Sequence, residues 1–317
     1  AVLTTLTSGS ENTGVGKDAL QFLTSGNNNS CVGNRAGEAI TTGGSNTAIG
    51  SAALLSNTTA SDNVAVGKSA LEVNTTGHSN IAVGRNSLAA NTTADNNTSV
   101  GHNSLGANTT GTQNVAIGSL ALDANTTGGQ NVAIGMNSLG ANIDASSNVA
   151  VGHDSLINNT SGIQNVAVGR ASLAANTTAD NNTALGYAAL LANTTGTGNL
   201  AVGSETLDAN TTASFNTAVG SLALTSNSTG NNNTALGRRA LQENTTAANN
   251  TAVGMEALKL NTTGTSNVAI GANTLDANTT GSNITAIGRG ALGSNTTASS
   301  NTAAGYFALA ANTTGTN

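Results

Sequence analysis

Polar and apolar residues follow a phrase that restarts along the whole chain. "NVAIGSLALDANTTGGQ" fills 114–130, and "NVAIGMNSLGANIDASS" follows at once. A glycine closes the phrase N-x-A-x-G at 16, 33 and 50, and then every 17 residues as far as 305, with no insertion or deletion. A short fixed period is the signature of a solenoid or array.

Numbered from its first asparagine, the repeat carries Asn at position 1 except at Ile284, and Thr or Val at most copies of position 2. Position 3 is Ala, with Gly14, Cys31 and Ser99 as small substitutes, and position 4 is Val, Ile or Leu except at Ala304. Position 5 is always Gly, position 9 is Leu except at Gly37, and positions 12 to 14 are usually Asn-Thr-Thr. Helix is a poor reading, because every repeat holds Gly, Asn and Thr, all weak helix formers. The phrase N-T-A-V-G reads as a strand meeting a turn, x-A-L-x-A-N as a second short extended run, and N-T-T-G as a second turn. Each repeat is therefore expected to be one coil of an all-β solenoid with two or three short strands. About 18 such coils at a strand spacing of about 4.8 Å would form a single rod roughly 85 Å long.

Stacking in register places identical residues above one another. Asparagines at positions 1 and 12, such as Asn114 and Asn131 or Asn125, Asn193 and Asn210, are expected to bond amide to amide in ladders. Positions 2 and 4 share one face of the strand, positions 3 and 5 the other. The Val/Ile/Thr face, with the position-9 leucines, is expected to fill a thin core. The Ala/Gly face, with Ala116, Ala133, Ala167 and Ala201, is expected to pack against the same face of symmetry mates, which points to a homo-oligomer. Its restriction to small residues is also what a tight coil interior would require.

The first coils depart from the pattern. Leu6, Leu23 and Ile40 stand at position 12, Phe22 at position 11 and Gly37 at position 9. Residues 1–45 are expected to form a junction or cap and 46–317 the regular repeats, since terminal repeats are commonly atypical. The chain begins in mid-repeat and stops at a repeat boundary, as a segment of a longer or processed protein would.

Composition narrows the reading. Charged residues make up 8% and aromatic residues 2%, so the core must be built from small side chains. The net charge of −6 and the scattered Lys and Arg offer no phosphate-binding surface, so no nucleic-acid partner is expected. No run is long enough to span a bilayer. Cys31 is the one cysteine and sits in the alanine column, which reads as a small buried residue. His78, His102 and His153 lie coils apart and make neither a catalytic nor a metal group; no enzyme activity and no cofactor is expected. Fifteen Asn-Thr-Thr, Asn-Thr-Ser or Asn-Ser-Thr triplets at positions 12 to 14 match the glycosylation sequon, but ladder formation would turn those amides inward.

The phrases "NTALGYAALLANTTGTG" (182–198) and "NTAVGSLALTSNSTGNN" (216–232) resemble the repeats of tail-fibre-like proteins that often precede an endosialidase-type chaperone domain. "NVAIG" and "NVAVG" more distantly resemble the head repeats of trimeric autotransporter adhesins, which are trimeric left-handed β-rolls with a shorter repeat. The resemblance implies a homotrimeric extracellular shaft on a virion or a cell surface, with any receptor contacted through regions outside this chain. A self-assembling end-to-end filament is a second expectation. An ice-binding solenoid is the alternative, since columns of Thr could order water. The Thr-Thr pair argues against it, because neighbouring residues of an extended chain face opposite ways.

Overall fold

The computed structural model describes residues 3–315. The chain divides into two compact units, one running to Ser161 and the other beginning at Gly162. The described residues contain no helix. Each unit is a parallel β-solenoid with one three-residue strand per repeat. In the first, β1 (Thr13–Val15) is followed at the repeat interval by strands up to β9 (Val149–Val151); in the second, β10 (Val166–Val168) leads to β18 (Thr302–Ala304). Neighbouring strands pair residue for equivalent residue: Val115 with Val132, Ala116 with Ala133 and Ile117 with Ile134 in the first unit, Val166 with Thr183 and Ala167 with Ala184 in the second.

The backbone spends its hydrogen bonds between coils, which is how so short a strand persists. Val115 N–H donates to the Asn131 carbonyl and Gly118 N–H to the Val100 carbonyl, each at 2.8 Å. The pattern continues past the strand, where Leu122 N–H reaches the Ser138 carbonyl at 2.9 Å. The expected second strand, x-A-L-x-A-N, is a turn. Leu120 and Leu122 both lie in the left-handed region, at φ of 57° and 54°. The left-handed conformation costs an ordinary residue roughly 1–2 kcal/mol. Complete burial of a leucine side chain returns roughly 1.5–3 kcal/mol, so packing can outweigh local preference at Leu122. Propensity and periodicity carry no signal for such an alternation of right- and left-handed residues.

The glycine at position 5 is required by contact as well as by conformation. Gly118 has φ of 137°, and a Cβ there would stand 2.5 Å from the Gly135 carbonyl oxygen of the next coil. Backbone meets backbone at this corner, and no side chain fits between.

The core corrects the expected orientation of the strand. Ala116, Ala133, Ala167 and Ala201 are completely buried inside the coil, together with the position-9 leucines. The Val/Ile/Thr face looks outward, with Ile117 39% and Leu185 46% exposed. Alternation tells which side chains share a face, but not which face is inside. A coil of 17 residues encloses little more than a leucine and small side chains, so the small residues go in and the β-branched ones go out.

The first coils use the same space differently. Leu23 and Ile40 are completely buried where later coils hold Asn. At Gly37, an added Cβ would meet Cys31 Sγ at 2.6 Å and Ile40 Cδ1 at 2.9 Å. Cys31 and Ile40 therefore occupy the volume that the position-9 leucine fills elsewhere.

Candidate assembly face and asparagine ladders

Two columns of buried amides run through the regular coils. At position 1, Asn114 Nδ2 donates to Asn97 Oδ1 at 3.2 Å, and Asn131 Nδ2 donates to Asn114 Oδ1 at 3.2 Å. The Asn97 Oδ1 atom also accepts the Asn114 backbone N–H at 2.9 Å. At position 12, Asn125 Nδ2 donates to Asn108 Oδ1 at 2.9 Å, and in the second unit Asn193 donates to Asn176 Oδ1 and Asn210 to Asn193 Oδ1. All of these side chains are completely buried. The sequon at 125–127 thus begins with an asparagine whose amide is already engaged inside the fold. Ile284 interrupts the position-1 column, and there the ladder keeps only the bond from Ile284 N–H to Asn267 Oδ1.

The threonines divide by position. Thr109 Oγ1 donates to the Thr126 carbonyl at 3.0 Å, so the first Thr of the pair is tied to backbone, while Thr110 is exposed. Outward-facing threonines therefore come from position 14, as at Thr110, and from position 2 of the strand, as at Thr98.

The outward strand face carries a row of exposed apolar side chains. In the first unit Ile49, Ile117 and Ile134 stand at position 4; in the second, Leu236, Ile270 and Ile287 do. All six are exposed, one per coil in parallel register. Apolar side chains stacked along one face are the mark of an interaction surface. The expected packing residues Ala116, Ala133, Ala167 and Ala201 lie behind this face, as its inner lining.

Little else in the molecule carries chemistry. The described residues include no group of three or more His, Cys, Asp or Glu that could hold a metal ion. His153 Nδ1 lies 2.8 Å from Asp154 Oδ2, a half-buried pair. Burial pushes the Cys31 thiol up to about 12, which leaves it a protonated core group at neutral pH. No helix in the described residues is long and apolar enough to cross a membrane. The chain matches no protein-family model and no curated protein.

Proposed function

We propose that the chain is a non-catalytic structural shaft of an extracellular fibre, on a virion or cell surface, that assembles as a homotrimer through its Val/Ile/Leu/Thr strand face. The observation that carries this reading is the exposed position-4 column, repeated in both units by residues such as Ile117 and Leu236. Three chains turning that column toward a common axis would remove it from water, and apolar burial of this kind drives association at about 25 cal/mol per Å2 before the cost of association. The likeness to tail-fibre and adhesin-head repeats supports the same arrangement, and in this reading any receptor is contacted through regions outside this chain. The partner is then another copy of the chain, with end-to-end stacking into filaments as a further form of self-association. Neither nucleic acid nor membrane insertion has a part in it. The first threonine of the Thr-Thr pair is tied to backbone, as Thr109 is to the Thr126 carbonyl, which favours a shaft over an ice-binding surface.

Electron microscopy of the purified chain tests the reading. Rods of one length, wider than a single coil, are expected. Rods one coil wide overturn the trimer, and filaments of indefinite length move the function to end-to-end self-assembly.

A further inference from the structure

A further column of hydrogen bonds runs along the turn at position 16. In the first unit Ser10 N–H donates to Asn27 Oδ1 at 2.8 Å, Gly44 N–H to Ser61 Oγ at 3.0 Å and Gly129 N–H to Ser146 Oγ at 3.0 Å. In the second unit Ile163 N–H donates to Asp180 Oδ1, Thr197 N–H to Ser214 Oγ and Thr265 N–H to Ser282 Oγ. Each of these side chains caps the position-16 backbone N–H one coil earlier. The carbonyl of position 16 is taken by the next coil as well, as where Ser79 N–H donates to the Ser61 carbonyl at 3.2 Å. These two bonds clasp a turn that no strand pairing holds.

One member of the column differs in its chemistry. Ser61 N–H donates to His78 Nδ1 at 3.0 Å, and His78 N–H donates in turn to Asp95 Oδ1 at 2.6 Å. Hydroxyl, amide and carboxyl groups keep an acceptor oxygen in acid. A neutral imidazole has one acceptor nitrogen and an imidazolium has none. The bond from Ser61 therefore requires a neutral ring with its proton on Nε2. His78 is exposed, so water can deliver a second proton to it. Two carboxylates flank it along the column: Asp95 one coil on, and Asp62, beside Ser61, one coil before. The remaining side chains of positions 16 and 17 in the surrounding coils, Ser45, Ser79, Asn96, Thr112 and Gln113, carry no charge.

We propose that Ser61, His78 and Asp95 form an acid-released clasp. With the ring neutral, Ser61 N–H is held by Nδ1 and the turn is tied to the next coil. When the ring takes a proton from water, Nδ1–H meets Ser61 N–H donor to donor, and that bond opens. The imidazolium turns its new N–H to the carboxylates that flank it. Ser61 precedes the strand that begins at Val64, so the clasp sits at the border of the strand face and outside the core. A single chain contains every group involved, so the proposal stands or falls independently of the trimer.

Hydrogen–deuterium exchange of the full chain, read at the Ser61 amide, tests this. His78→Asn is the reference, because Asn27 and Asn231 already cap the column elsewhere and an amide stays an acceptor in acid. Taking the ratio of the two chains at each pH removes the pH dependence of exchange itself. Between about pH 8 and about pH 5, where imidazole changes charge, the Ser61 rate of the unmutated chain relative to the asparagine chain should rise at least about threefold, the loss of one ordinary hydrogen bond. The Gly129 amide, held by Ser146 Oγ, should show no such rise. His78→Ala should exchange Ser61 fast at both pH values. A Ser61 ratio that does not rise overturns the proposal. So does an equal rise at Gly129, which would mean general loosening. Slow exchange of Ser61 in the alanine variant would show that His78 holds nothing there, and overturns it too.

Discussion

Asn114 and Asn125 both donate their side-chain amides to the Gly128 carbonyl, at 2.9 Å and 3.0 Å. One carbonyl at position 15 thus ties together the two asparagine columns of a coil, and each column continues to the neighbouring coil through its amide oxygen. Asn125→Ala removes a donor from Gly128 and from Asn108 Oδ1 in a completely buried setting. A buried polar group left unsatisfied costs about 1–3 kcal/mol. Thermal melting should show a loss of this size for Asn125→Ala, and a similar one for Asn193→Ala in the second unit. Unchanged melting in both would mean that water replaces the amide.

Inside and outside of the strand can be told apart by neighbouring residues. Ala116→Lys forces a charge into the coil interior and should unfold the surrounding coils, since an unpaired buried charge costs several kcal/mol. Ile117→Lys points outward and should leave the circular dichroism of the chain intact while weakening self-association. Circular dichroism and sedimentation of the two variants check both halves of the statement.

Gly118→Ala sets a Cβ against the Gly135 carbonyl and strains the backbone as well. A loss on the order of 3 kcal/mol in unfolding free energy is expected, the upper part of the range for backbone strain with added overlap. Gly106→Ala, where the backbone is not left-handed and an added Cβ would meet the Asn103 carbonyl oxygen at 3.2 Å, should cost less, about 1 kcal/mol or below. Chemical denaturation of the pair distinguishes contact from mere glycine content.

The exchange at Gly37 should be reversible only as a set. Gly37→Leu alone overfills the space held by Cys31 and Ile40, at a cost of about 1–3 kcal/mol. Combining it with Cys31→Ala and Ile40→Asn restores the regular pattern and should recover most of that loss. Melting of the single and triple variants measures the coupling.

Asp123 makes a pH prediction. Burial holds its carboxyl above the ordinary carboxylate range, and the Asp123 and Ala124 backbone N–H groups oppose this less strongly. A folded-state pKa raised in this way means that its contribution to stability is complete below the ordinary carboxylate pKa, about 3.9, and is lost as pH rises through the raised value. Asp123→Asn should therefore melt higher than the unmutated chain at neutral pH, with the difference vanishing as pH falls below about 3.9. A constant difference across this range would contradict it.

The repeat length, the parallel register and the coil itself were legible because 17-residue spacing is absolute from Gly16 to Gly305. The orientation of the strand was not. Val115 and Ile117 alternate with Ala116, and a hydrophobic scale favours the larger pair as core; only the narrow bore of the coil decides for alanine. The turn at Leu120 to Leu122 was hidden for a related reason, since left-handed leucine is stabilised by contacts across coils that no local pattern records.

The assembly claim is tested most directly by native mass spectrometry of the unmutated full chain at micromolar concentration. The account predicts a species of three chains, each of 30.7 kDa. A stable species of a single 30.7 kDa chain would contradict it, because the position-4 column would then remain in water.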